Sequence, residues 1–245
     1  MKILGRFTIR LLVGAVMSLA AAAPARATSF VLNGGFEAGL AGWTRAEQLG
    51  SEGRFFLQSG TASPVVADLV PAPTGGVFAA MSDAEGPGSH VLYQDFVAAA
   101  ETASLHFDLF IGNRANLFAT PASLDFSTPA LNQQARVDIL RAGADPFSVA
   151  PADVLMSVYR THVGDPLISG YTTIAVDLSA LLAANAGQTL RLRFAEVDNV
   201  FTFQLGVDKV SLEGRAAAAV PEPASLILVG AGLAGLAAIV RRRSR

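Results

Sequence analysis

Between residues 28 and 219, the apolar residues of this chain recur at every second position wherever a period is legible, a spacing that favours strands over helices. Leu105, Phe107, Leu109 and Ile111 alternate with His106, Asp108 and Phe110. Ala135, Val137 and Ile139 alternate with Arg136, Asp138 and Leu140, and Leu190, Leu192 and Phe194 alternate with Arg191 and Arg193. Successive side chains of a strand point to opposite faces, so each run offers one apolar face to a core. Shorter candidates lie near residues 30–32, 55–58, 77–81, 91–97, 154–161, 171–178 and 207–212. Nine or ten short strands set off by Gly- and Pro-rich turns predict an all-β body, a two-sheet β-sandwich of jelly-roll type. Segments 60–76 and 113–134 read as long surface loops, and only residues 178–184 carry a helical hint.

The two ends have a different character. Lys2, Arg6 and Arg10 precede an apolar stretch from Leu11 to Ala23, and Ala25-Arg26-Ala27 offers an A-x-A cleavage site. That order predicts a secretory signal peptide over residues 1–27. At the far end Pro221-Glu222-Pro223 is followed by an uncharged run from Ala224 to Val240, then by Arg241-Arg242-Arg243-Ser244-Arg245. Prolines lack an N–H and clash with a preceding helical turn, so a helix begins only at or beyond Pro223. Seventeen uncharged residues reach about 26 Å, the short end of what crosses a hydrocarbon core. The terminal arginines then hold that end on the cytoplasmic side of the inner membrane. The expected organisation is a signal peptide (1–27), a jelly-roll β-sandwich (28–214), an Ala-rich linker (215–220) and a tail with a single transmembrane helix (221–245).

Pro221-Glu222-Pro223, the short apolar span and the Arg241, Arg242, Arg243 cluster resemble the PEP-CTERM sorting signal of Gram-negative bacteria. The resemblance implies an exosortase as partner, a membrane enzyme that processes the tail and passes the body to the cell surface, commonly alongside exopolysaccharide. An ordinary membrane anchor preceded by a helix breaker is the competing reading of the same residues. A GPI signal fits less well, because its hydrophobic tail runs to the terminus without a basic end.

Charge and cysteine content narrow the partners. The chain has 18 Lys and Arg and 20 Asp and Glu; setting aside the two terminal segments leaves 10 basic and 19 acidic residues over 28–219, a net charge of −9. A body this acidic repels phosphate backbones, which argues against nucleic acid. There is no cysteine, and a body of this size buries enough core to do without disulfides.

A second resemblance brackets the body. Asn33-Gly34-Gly35-Phe36-Glu37 with Gly42-Trp43, and Leu190-Arg191-Leu192-Arg193-Phe194 followed by residues 206–212, look like the opening and closing strands of jelly-roll domains related to carbohydrate-binding modules. The resemblance implies a structural calcium ion where first and last strands meet, with Glu37 and Asp208 as the matching acidic positions; hard oxygen ligands are what calcium takes. Counting back from Val210 and Leu212 places Asp208 on the inward face, where a carboxylate must find a partner. Backbone N–H groups at a turn or bulge, or Arg191 or Arg193, would serve as well as calcium.

No catalytic constellation stands out, and the chain is expected not to be an enzyme. His90, His106 and His162 are isolated and argue against zinc. There is neither a Gly-x-Ser-x-Gly elbow nor a Walker loop. Glu196 and Asp198 are two carboxylates, the minimum for glycoside hydrolysis, but so close in sequence they read as solvated. Sugar recognition needs exposed rings, for which Tyr93, Tyr159 and Tyr171 are the candidates, while Trp43 reads as core. The resulting expectation is a non-enzymatic surface or matrix protein near exopolysaccharide, with a carbohydrate-binding module and a glycoside hydrolase as alternatives.

Overall fold

The computed structural model describes residues 27–99 and 102–215. The strands are β1 (Ala27–Ser29), β2 (Thr44–Glu47), β3 (Arg54–Gln58), β4 (Ala79–Asp83), β5 (Gly88–Val97), β6 (Thr102–Asn113), β7 (Gln133–Arg141), β8 (Val154–Arg160), β9 (Thr172–Asp177), β10 (Thr189–Asp198) and β11 (Phe203–Arg215). One short helix, α1 (Ser179–Ala184), links β9 to β10. The first sheet has the order β3-β4-β11-β6-β9, with β1 also on β11, and the second β2-β5-β10-β7-β8, all pairs antiparallel. From β4 onward the chain passes back and forth between β4-β11-β6-β9 and β5-β10-β7-β8, which is the double Greek key of a jelly roll. The all-β sandwich read from alternation is what the chain forms. The signal peptide and tail helix lie outside the described residues. Among the described residues no helix is long and apolar enough to cross a membrane.

The core is built from the alternating residues themselves. Leu105, Phe107, Leu109 and Ile111 of β6 face Leu190, Leu192 and Phe194 of β10 and Val137 and Ile139 of β7. Phe107 meets Phe194 edge-on at 5.3 Å between centroids. Each fully buried ring contributes about 1.5–3 kcal/mol. Trp43 is core as expected, packed at a tilt against Phe36 at 5.4 Å and Phe194 at 5.9 Å, and its Nε1–H donates to the Asn33 carbonyl.

Three local readings differ from the sequence. Residues 30–32 are bends, because the pairing with β11 is made by Ala27–Ser29. β2 went unforeseen because its residues, Thr-Arg-Ala-Glu, form an exposed edge with no apolar alternation. In β11 the register against β6 slips between Asp208 and Ser211, so that Lys209 and Val210 together oppose Phe107, and Lys209 takes φ +49°. This bulge reverses the parity of the strand: Val207 and Val210 both point inward, and Asp208 points outward beside its cross-strand partner Asp108. The inward position inferred for Asp208 is therefore corrected.

The bulge is locked by the opening loop. Val210 N–H donates to the Gly34 carbonyl at 2.9 Å, and a Cβ at Gly34 would stand 1.7 Å from the Val210 carbonyl oxygen. A Cβ at Gly35 would meet nothing within 4 Å. Gly34→Ala is expected to cost about 3 kcal/mol, read as a lower midpoint in urea unfolding. Gly35→Ala should stay within about 0.5 kcal/mol of the parent, and equal midpoints for the two variants would sink the argument.

Candidate functional site

Asp208 is fully buried although it faces outward, because the 59–78 connection folds over it. Its Oδ2 accepts the N–H groups of Thr74 at 2.8 Å and Gly75 at 2.9 Å, and its Oδ1 accepts the Lys209 N–H at 2.7 Å. Of the partners anticipated for it, backbone N–H groups at a bulge are the ones present; Arg191 and Arg193 are engaged elsewhere. The Thr74 hydroxyl lies 2.6 Å from Asp108 Oδ2 and 3.0 Å from Asp208 Oδ2, so one proton bridges two carboxylates. Partial burial works against ionisation of Asp108, but bonds from Thr173 and Thr74 and the charge of Lys209 hold it below the ordinary carboxylate range. Glu37 grips the same connection further on, its Oε1 accepting the N–H groups of Val77 at 2.8 Å and Phe78 at 2.9 Å. The structure thus brings Glu37 and Asp208 to one short stretch of backbone, residues 74–78.

The three tyrosines are not brought together. Tyr93 lies on the outer face of the second sheet with the Arg191 guanidinium 3.9 Å from its ring centre, so one ring face is already taken. Arg191 in turn forks onto Asp95 at 2.7 and 3.0 Å. Tyr171 is packed on the outer face of the first sheet against Phe110, Met81 and Val70; its hydroxyl is buried without a partner, and burial raises its pKa. Tyr159, on edge strand β8, borders an open cleft, about 290 Å³ in volume, with Leu109, Ile111, Asp165, Pro166 and Ile174. Apolar walls with a ring and a few polar groups at the rim are the general form of a small-ligand site.

The outer face of the second sheet is roofed. Fully buried Arg193 donates to Pro146 O at 2.8 Å and Ser148 O at 2.7 Å and pairs with Asp138, which Arg136 grips at 2.7 Å through both Nε and Nη2. Residues 144–149 are thereby tied over the sheet.

Inside the sandwich lies a cluster that includes Glu196 and Asp198, contrary to the solvated position expected of them from sequence. Glu196 and Asp198 are 1% and 3% exposed, and His90 beside them is 1% exposed. Burial lowers the His90 pKa to about 4, which leaves the ring neutral. Burial, and secondarily the neighbouring Asp198, pushes Glu196 well up, and burial raises Asp198 to about 7. The signal was present in the alternation: Glu196 and Asp198 continue the inward parity of Leu190, Leu192 and Phe194, and His90 shares that of Leu92 and Phe96.

Residues 219–243 match the PEP-CTERM protein-sorting motif, over about a tenth of the chain. The motif marks an exosortase-sorted precursor, anchored at its C-terminus and exported to the cell surface. Pro221, Glu222, Pro223 and Arg241, Arg242 and Arg243 fall within it and lie outside the described residues. No curated protein matches the chain. Similar solved structures include TmCBM61 in complex with β-1,4-galactotriose, at 10% identity, TM-score 0.45, covering 76% of this chain and 97% of that one. The K3 adhesin domain of Lys-gingipain from Porphyromonas gingivalis is similar at 13% identity and TM-score 0.47, covering 77% and 99%. A Stig cyclase from Fischerella is similar at 15% identity and TM-score 0.46, covering 78% and 100%. Likenesses this distant transfer neither ligand nor activity.

Proposed function

We propose that this chain is a non-enzymatic protein of the cell surface or extracellular matrix, exported behind a cleaved signal peptide, released or transferred by an exosortase, and retained near exopolysaccharide. The observation that carries the reading is the sorting motif at residues 219–243 behind an acidic sandwich. Glycoside hydrolysis has no support from the carboxylates once suspected of it, because Glu196 is sealed between the sheets where no pyranose reaches.

Polysaccharide binding is the second reading, and the Tyr159 cleft favours it. Rings beneath a pyranose face supply most of the contact area in such sites. Tyr159 combines a ring with an open cavity, whereas Tyr93 is stacked by Arg191 and Tyr171 is packed against Phe110.

Calcium belongs to the same proposal as a structural part. Glu37 Oε2 makes no hydrogen bond among the described residues, and Asp208 Oδ1 accepts only one, so both retain lone pairs of the kind a hard cation takes. Held by Glu37 and Asp208, the ion would cross-link the opening loop to the closing strand.

Replacing Pro221-Glu222-Pro223 with alanines is expected to leave an unprocessed precursor in the inner membrane, seen as a larger band on fractionation; normal export would refute exosortase sorting. Tyr159→Ala should weaken binding to the host polysaccharide about tenfold, as expected for one lost ring contact of 1–1.5 kcal/mol, while Tyr171→Phe leaves it unchanged. Equal binding by both variants would remove the cleft from the account. EGTA should lower the melting temperature and added Ca²⁺ restore it, with Glu37→Gln abolishing the response; an EGTA-insensitive melt would dismiss the calcium.

A further inference from the structure

His90 on β5 and Glu196 on β10 are directly opposed rungs of one ladder, and Asp198 is opposed by Gly88 at the next inward rung. All three therefore project into the space between the sheets. Both ring nitrogens of His90 and both carboxylate oxygens of Glu196 are buried without a hydrogen-bond partner, although His90 Nε2 is 4.0 Å from Glu196 Oε2. Ser82, from the facing sheet, accepts the Leu205 N–H at 3.0 Å, and its hydroxyl is directed to Glu196, where it favours the carboxylate without offsetting its burial. An unmatched buried polar group is destabilising, the more so when charged. Among the described residues no protein group completes the bonding of the His90 ring, which leaves the cluster open to a ligand.

The geometry suits a cation. One ligand atom from each of His90, Glu196 and Asp198 lies within 4.8 Å of the other two. Donors at 2.0–2.2 Å from a single ion stand about 3.3–3.6 Å apart in a tetrahedral site, so side-chain adjustment alone closes the cluster onto an ion. Gly88 makes the room: a Cβ there would stand 2.4 Å from His90 Nε2, and its N–H donates to Asp198 Oδ1 at 2.9 Å. A cleft of about 170 Å³ borders Asp198 between the turns 85–87 and 199–202, with space for the water that completes a coordination sphere.

We propose that His90, Glu196 and Asp198 bind a first-row transition dication such as Zn²⁺ inside the sandwich, between β5 and β10. One imidazole nitrogen with two carboxylates, and a fourth position left to water, is a donor set such ions accept. Calcium is disfavoured, because it takes six to eight oxygens and this cluster offers four carboxylate oxygens, one of them already bonded to Gly88. The expectation against zinc rested on the lack of closely spaced histidines; in a sandwich, ligands converge across strands and need no short spacing. This site is separate from Glu37 and Asp208 and independent of the sorting and polysaccharide readings.

The test uses full-length protein, purified in detergent, stripped with EDTA and titrated calorimetrically with ZnCl₂, MnCl₂ and CaCl₂. One equivalent of Zn²⁺ or Mn²⁺ should bind more tightly than Ca²⁺, with Glu196→Gln weakening it about 100-fold and Glu37→Gln leaving it unchanged. Co²⁺ loaded into the parent chain should give visible absorption bands that His90→Gln shifts, a readout that a purely structural histidine would not move. Binding no tighter than that of Ca²⁺, an unaltered affinity in Glu196→Gln, or a Co²⁺ spectrum indifferent to His90 would each overturn the proposal and leave the cluster holding protons and water only.

Discussion

The long pairing of β6 with β11 is the constraint on which the rest of the body depends, because it forms the centre of one sheet and carries the single slip that redirects a charged residue. Up to Asp208 the two strands keep step; past it, two residues of β11 answer one of β6. Without the bulge the strand would keep one parity, and either Val210 and Leu212 would face outward or Val207 would do so with Asp208 in the core. With it, Val207, Val210 and Leu212 all reach the core, and Asp208 is freed to hold the 59–78 connection from outside. The strained backbone at Lys209 is compensated by the close approach of Gly34, which only a residue without a Cβ permits.

A common device recurs around the sandwich. Several long connections are tied to the sandwich by polar side chains that take up loose backbone groups. Asp208 and Glu37 hold residues 74–78, Asp83 accepts the N–H groups of Val65 and Val66, Arg193 donates to residues 146 and 148, and Asn199 holds residues 126–132. Loops otherwise leave backbone groups to water, and anchoring them in this way seals both outer faces without disulfides. Against that pattern His90 and Glu196 stand out, since they place adjoining polar side chains inside the core with both ring nitrogens and both carboxylate oxygens lacking a close partner among the described residues. The contrast gives the cluster its meaning: elsewhere in the described body only single atoms, of Gln58, Tyr171 and Arg193, are buried unmatched, whereas here four unmatched atoms lie on two neighbouring side chains.

The sandwich also separates residues that look alike on paper. Tyr93, Tyr159 and Tyr171 fall on one outer face, one edge and the other outer face, so they cannot line a single sugar. Arg191 and Arg193, two residues apart on one face, engage different acids on either side, Asp95 and Asp138. In each case the neighbour across the ladder, not the neighbour along the chain, decides the chemistry.

The amino-acid order alone determined the all-strand class, the core faces of β6, β7 and β10, the two long loops, the short helix and the sorting tail, because period, proline and terminal charge are local properties. It did not reveal the edge strand β2, whose polar residues leave no period, nor the slip at Lys209, which reverses the side chosen for Asp208. Nor did it join His90 to Glu196, residues more than a hundred positions apart in the chain. Those outcomes were decided by tertiary structure, since strand register is set by contacts between distant segments, and moving a strand by one residue exchanges what faces the core for what faces away.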